Sequence, residues 1–221
     1  MTLPQLTIGV LGGTGPQGRG LAYRWAVGGL SVVIGSRDVG RAEQVAASLR
    51  ARSGSQRVRS ADNAGCAAGS DLVVVAVPFD GHATLLEPLR SPLAATIVID
   101  CVNPLGFDKR GPFARAVPEG SAAQQAQALL PESRVTAAFH HVSAVLLDNP
   151  EVISLDLDVL VLGDDREATD LVCALADAIP GVRGIYGGRL RNASQVEALA
   201  ANLLAINKRY QTHAGIRITG R

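Results

Sequence analysis

LTIGVLGGTGPQG, Leu6 to Gly18, is the stretch on which the reading of the whole chain turns. Leu6, Ile8, Val10 and Leu11 predict a short, mostly buried strand, and Gly20 to Val27 predicts a helix. Between them, Gly13-Thr14-Gly15-Pro16-Gln17-Gly18 fits G-x-G-x-x-G. The first two glycines let the backbone turn tightly and approach a pyrophosphate, and the third lets the helix lie close to the strand. A helix start there offers free N–H donors and the positive end of its dipole to a phosphate. A lone glycine motif is weak evidence, but a strand before it and a helix after it make it a dinucleotide signature.

Outward from that turn, apolar runs of strand length alternate with helical stretches. Leu30 to Gly35, Asp71 to Val77, the TIVIDC within Ala94 to Cys101, Arg134 to Phe139, Val159 to Leu162 and Val182 to Tyr186 read as strands, with Val58 to Ala61 at an edge. Helices are expected over Val39 to Arg52, Asn63 to Ala68, Gly81 to Leu89, Ser121 to Leu130, from a cap at Asp164 or Asp165 to about Ile179, and from Gln195 to Gln211. Asp38, Asp62 and Ser121 stand where N-caps are needed. The alternation predicts an α/β fold: a Rossmann-type, doubly wound, largely parallel sheet with a small C-terminal helical part. Residues 1–180 are expected to form the nucleotide-binding domain. Residues 181–221 form a small part packed on it that shapes a second cleft or a dimer contact. Residues 103–118 carry three prolines and two glycines without periodicity and read as one long functional or disordered loop.

Composition narrows the function. Apolar residues make up 47% of the chain but aromatics only 4%, so Ala, Val and Leu must fill the core, as in a parallel sheet covered by Ala-rich helices. A net charge of +1 gives no footprint for nucleic acid or a membrane surface. Cys66, Cys101 and Cys173 form no C-x-x-C and read as small buried hydrophobes, and no His/Cys cluster has metal spacing. With no leader-like N-terminus, the expectation is a cytoplasmic protein.

The end of the second strand chooses the nucleotide. An acid there, about 20 residues past the glycines, would hold the ribose hydroxyls of NAD. This chain has Ser36-Arg37 with Arg41 four residues on, a guanidinium pair suited to the ribose phosphate of NADP. The alternatives are that both arginines are solvated surface charges, and that Asp38 turns inward and repels a phosphate. Val77-Pro78, Gly81 and Ser143-Ala144 are small residues at or beyond strand ends, where ligands of open parallel sheets bind. His140 and His141 stand at a strand end, where one of them can have a site role or be a satisfied polar residue, while His82 and His213 show no partner pattern. In the last helix, Val196, Leu199, Ala200, Leu203, Leu204 and Ile206 make an apolar stripe that either seals the core or forms a homodimer contact.

With GGTGPQGRGLA (12–22), GSR followed by Arg41, DLVVVAVPF (71–79) and AFHHVSA (138–144) collected, the chain resembles the NADPH-dependent coenzyme F420 reductases, also called F420-dependent NADP oxidoreductases. The resemblance covers most of the chain in order. It implies hydride transfer between NADP(H) and the deazaflavin coenzyme F420 as co-substrate. The family's phosphate-binding positions fall on Thr14, Gly15, Pro16, Gln17, Ser36, Arg37 and Arg41. Its nicotinamide-side positions fall on Val77, Asn103 and Ala144, and His140 matches the histidine beside the deazaflavin pocket. The acidic tail of the deazaflavin would need Lys109-Arg110, the helix start at Ser121, Arg189-Arg191 or Lys208-Arg209. Two other readings stay open. One is an NADPH-dependent imine or keto reductase, which would usually need a larger helical substrate domain. The other is a non-catalytic NADPH-binding sensor.

Overall fold

A computed structural model describes residues 3–220. In chain order the elements are β1 Thr7–Leu11, α1 Pro16–Val27, β2 Ser31–Ser36, α2 Val39–Ser53, β3 Val58–Asp62, α3 Asn63–Ala68, β4 Leu72–Val75 and α4 His82–Leu86. There follow β5 Ile97–Asp100, β6 Leu105–Asp108, β7 Gly111–Ala114, α5 Ala122–Leu129, β8 Arg134–Ala137 and α6 Ala144–Asp148. The chain closes with β9 Leu157–Gly163, α7 Arg166–Asp177, β10 Val182–Gly188 and α8 Ala193–Tyr210.

Among the described residues, eight strands form one sheet in the order β10-β9-β8-β5-β4-β1-β2-β3. The run from β8 to β3 is parallel throughout. β9 joins β8 antiparallel, through Thr136–Gly163 and Ala137–Leu162, and β10 joins β9 parallel. The strand order reverses between β1 and β4, which is where open α/β sheets bind ligands beyond the carboxyl ends of their strands. The sheet continues through β10, past residue 180. Central strands β4 and β5 are fully buried, so they read as continuous apolar runs rather than alternating ones.

One face of the sheet packs Ile8, Val10, Ile34 and Val74 against Leu21, Trp25 and Leu49. The other packs Val73, Val75 and Val98 against Leu86, Ala122 and Ala126. Trp25 is the largest fully buried side chain; it donates to the Leu175 carbonyl at 3.2 Å and meets Phe139 edge-on at 5.7 Å. Asp38, Asp62, Ser121 and Asp165 all cap their helices through side-chain oxygens, as their positions predict. No helix is long and apolar enough to cross a membrane among the described residues.

The structure differs from the sequence expectations in several places. α1 begins at Pro16, not Gly20, because proline suits the first helical position and the glycine motif is itself the helix start. The expected long loop at 103–118 contains a two-stranded hairpin, with Phe107 opposite Pro112 and the turn at Lys109-Arg110. Its strands are short and exposed, so no burial pattern announced them. The stretch Gly81 to Leu89 is α4 flanked by two 3-10 turns, the second carrying Pro88. The short helix α6 spans only five residues, too few to show an apolar periodicity; Ser143 caps it, accepting from Leu146 N. The stripe on α8 is split: Val196, Ala200 and Leu203 are buried, whereas Leu204 and Ile206 face solvent.

Candidate active site

The phosphate turn is tight because backbone crowds every glycine in it. Gly12 sits at φ +79°, and a Cβ there would lie 2.4 Å from the Ala76 carbonyl oxygen and 2.8 Å from the Val77 side chain. At Gly18 a Cβ would fall 2.7 Å from the Gly12 carbonyl oxygen. Gly13 N donates to Val10 O at 3.1 Å and Gly15 N to Gly12 O at 2.9 Å, closing consecutive turns. The N-cap of α1 is Gly15, with no side chain on the helix start and no acid in its first turn. Thr14, Gly15, Pro16 and Gln17 therefore ring an uncapped, positive helix end, the arrangement that accepts a phosphate.

Ser36 ends β2, and Arg37 and Arg41 stand exposed beyond it. Asp38 does not turn inward: its carboxylate accepts from Arg41 N at 3.0 Å and caps α2. Among the described residues no acid pairs with either guanidinium, while neighbouring Arg19, Arg50 and Arg52 are all engaged by carboxylates. The exposed pair is thus free to meet a ribose phosphate.

Beside the turn opens a cleft of about 630 Å³. Gln17, Asn103, His140 and Ala144 line it together, with Ser143, Leu203, Asn207 and His213 opposite and around them. Val77 and Pro78 do not line this cleft; they lie on the turn after β4, behind Gly12. Gly13, Thr14, Gly15, Pro16, Gly18, Ser36, Arg37 and Arg41 also lie outside it, so Gln17 is where the phosphate turn and the cleft join. No Asp or Glu lines the cleft.

The chain reaches the cleft from β8 by a forced bend. Phe139, fully buried against Trp25, holds φ +64°, a conformation that costs a bulky residue about 1–3 kcal/mol. Its carbonyl accepts from Gln17 Nε2 at 3.1 Å, and the next carbonyl, of His140, accepts from Asn103 Nδ2 at 2.8 Å. The bend leaves both ring nitrogens of His140 buried without a protein partner, together with Asn103 Oδ1. Burial pushes the His140 pKa down to about 4 against the pull of Asp100, so the ring is neutral at neutral pH. His141, equally buried and lowered to about 4, lines the cleft as well; its Nε2 accepts from Leu160 N at 3.4 Å, while its Nδ1 is buried without a partner.

Several residues have partners that the sequence does not show. His82, which showed no partner pattern, is fully buried against Asp100, Nε2 to Oδ2 at 2.7 Å. His213 also has a partner: its Nδ1 lies 3.3 Å from Ser143 Oγ at the cleft rim. The helix start at Ser121 is not open to an anion, because both carboxylate oxygens of Glu197 accept from Ala122 N and Ala123 N. Arg110 pairs loosely with Asp108 at the hairpin tip, and Arg189 turns to Asp164. A carboxylate inside an otherwise apolar helical stripe, as at 197, is the signal that could have revealed a distant cap. Cys66 and Cys101 are buried free thiols. Burial pushes Cys66 up to about 12. No cluster of three metal-ligating side chains occurs among the described residues.

The family model for NADP oxidoreductase, coenzyme F420-dependent, matches residues 7–104. The F420-dependent NADP reductase of Methanothermobacter thermautotrophicus is 39% identical over 97% of this chain and 95% of its own. The chain belongs to the F420-dependent NADP reductase family. The family's enzyme from Methanocaldococcus jannaschii is 36% identical over 97% of this chain and 98% of its own. A crystal structure of a putative F420-dependent NADP reductase from Arthrobacter sp. FB24 superposes with a TM-score of 0.82 at 27% identity, covering 97% and 99% of the two chains. The family model stops at residue 104, one position past Asn103. The full-length relatives carry the likeness across His140, Ala144 and α8 as well, so the family spans both the phosphate turn and the cleft.

Proposed function

We propose that this protein is an oxidoreductase that transfers a hydride between NADP(H) and the deazaflavin coenzyme F420. One observation carries the reading: an uncapped phosphate turn flanked by two unpaired arginines opens, through Gln17, into a cleft free of carboxylates and edged by an unpartnered histidine. The chemistry of hydride donation and acceptance belongs to the two bound coenzymes; the chain supplies binding, orientation and exclusion of water. Gly13 to Gly18 hold the pyrophosphate, and Ser36, Arg37 and Arg41 hold the ribose phosphate that distinguishes NADP from NAD. Val77, Pro78, Asn103 and Ala144 shape the nicotinamide side. His140, neutral and unpartnered, donates a hydrogen bond to the deazaflavin ring and serves no acid role near neutral pH. The nucleotide-binding domain takes in β10 beyond residue 180, and α8 furnishes a wall of the cleft. The same reading makes the protein a cytoplasmic enzyme acting on small molecules and not nucleic acid, with the exposed Ile206 of α8 at a homodimer contact.

The test is to mix the protein with NADPH and oxidised F420 and follow the visible absorbance of the deazaflavin. Bleaching is expected. Binding without bleaching would favour a sensor, and NADPH consumption only with small imines or ketones would favour a reductase of those substrates.

A further inference from the structure

Behind the cleft lies a buried polar cluster that the reaction as described does not use. His82 on α4 and Asp100 at the end of β5 are both fully buried. His82 Nε2 faces Asp100 Oδ2 at 2.7 Å, and Nδ1 faces Gln125 Oε1 at 2.9 Å. The orientation of the Gln125 amide is set from outside, because its Nε2 donates to Glu119 Oε2 at 3.2 Å. Both partners of the imidazole are therefore acceptors, and both ring nitrogens must donate. Asp100 spends its other oxygen on Val102 N at 3.0 Å, two residues along the turn that carries Asn103. Asn103 Nδ2 in turn holds the His140 carbonyl.

We infer that His82 is kept as an imidazolium, and that the His82–Asp100 pair is a positioning device that fixes the 100–103 turn and, through Asn103, the setting of His140 in the cleft. The pair touches no substrate. Its charge is balanced locally: Asp100 faces it from β5, Glu197 acts on it at longer range from α8, and Glu119 lies beyond Gln125. The Phe79 ring lies roughly parallel to the imidazole, 6.2 Å between centroids. Burial by itself would strip the proton from His82, but the Asp100 carboxylate, the Gln125 acceptor and the more distant Glu197 together outweigh it, which agrees with the geometry. His140 also feels Asp100, so the pair sets the electrostatic background of the cleft as well as its shape.

The protonation state is read on the intact wild-type chain by nitrogen-15 histidine NMR, with His82 assigned through H82Q. Two protonated ring nitrogens on His82 at pH 7 are expected; a one-proton neutral pattern overturns the inference. The positioning role, which rests on the hydride-transfer reading above, is tested by single-turnover kinetics of Q125L and D100N. Q125L removes one acceptor, so its rate should fail on the alkaline side about one pH unit lower than wild type. D100N should slow hydride transfer on the order of tenfold by misplacing the turn, with NADPH affinity within about threefold. A Q125L profile superimposed on wild type overturns the positioning role even if D100N fails to fold. A wild-type protein that never bleaches F420 overturns the hydride-transfer reading and the kinetic role together, and leaves the NMR result to decide the charge.

Discussion

On the nucleotide side of the cleft, the glycines from 12 to 18 lie in one short turn, crowded by backbone a few residues away, by the Ala76 carbonyl and by the Val10, Ile34 and Val77 side chains of the adjoining strands and strand ends. On the histidine side, the setting of His140 depends on Gln17 and Trp25 of α1 and on Asp100 and Asn103 of the turn after β5, two parts of the chain distant from it in sequence. The first wall is specified by backbone geometry and has little freedom to vary. The second is specified by side chains meeting across the fold, and it stores strain at Phe139 and leaves polar atoms unmatched. A rigid phosphate grip joined to a side-chain-tuned ring pocket suits two coenzymes of different character.

The sharpest way to break the first wall is Gly12→Ala. Its methyl would lie 2.4 Å from the Ala76 carbonyl oxygen at φ +79°, a clash with backbone that no rotamer relieves. Strain and overpacking together should cost about 3–5 kcal/mol, with NADPH binding lost in calorimetry on whatever folded protein remains. A variant that folds and binds normally would mean the turn is not the rigid element described.

The second wall should reveal itself in acid. His140 and His141 ionise near 6.5 when unfolded but only near about 4 in the fold, mainly because burial disfavours their charged forms. Their contribution is complete above pH 6.5 and is lost as pH falls through 4, about 3 kcal/mol for each. Glu197 runs the other way: burial raises it from 4.5 to about 7, so its proton favours the fold as pH falls over that interval. Between pH 6.5 and 4.5 two histidines are opposed by one carboxylate, and net stability should decline toward acid. Urea titrations should show that decline in wild type and a shallower one in H141Q. Equal slopes would deny that the histidine wall is held neutral.

These two walls differ in the same way in how far sequence revealed them. The glycine turn, the arginines beyond β2 and the Asp and Ser caps depend on neighbours in the chain, so periodicity and spacing sufficed. The partners of His82, the capping role of Glu197 and the hairpin at 105–114 depend on residues that only the fold brings together, or on strands too exposed to show an apolar pattern. Asn103 and His140 were identified by family likeness; the link between them, an amide donating to a carbonyl, is invisible without coordinates.

Charge at the nucleotide wall should have a smaller and more selective effect than the turn itself. Arg37→Asp replaces an unpaired guanidinium with a carboxylate where the ribose phosphate is proposed to sit. NADPH affinity should weaken by about 10–100-fold, roughly 1.4–2.8 kcal/mol, while NADH affinity changes by less than about threefold. Parallel titrations of both nucleotides decide it. Equal losses would make Arg37 a structural residue, and no loss would make it a solvated charge.

The smallest effect compares a near cap with a far one on the same helix. Ser121, fully buried, accepts from Gln124 N at 3.0 Å, while Glu197 holds Ala122 N and Ala123 N from α8. With two of the free N–H groups of α5 already taken by the distant carboxylate, Ser121→Ala strands only one. The cost should fall near the lower part of the N-cap range, about 0.5–1 kcal/mol by denaturant titration. A loss near 2 kcal/mol would mean that the local hydroxyl bears the end of the helix. Glu197 would then owe its burial to the charge balance around His82 and Asp100, with capping secondary.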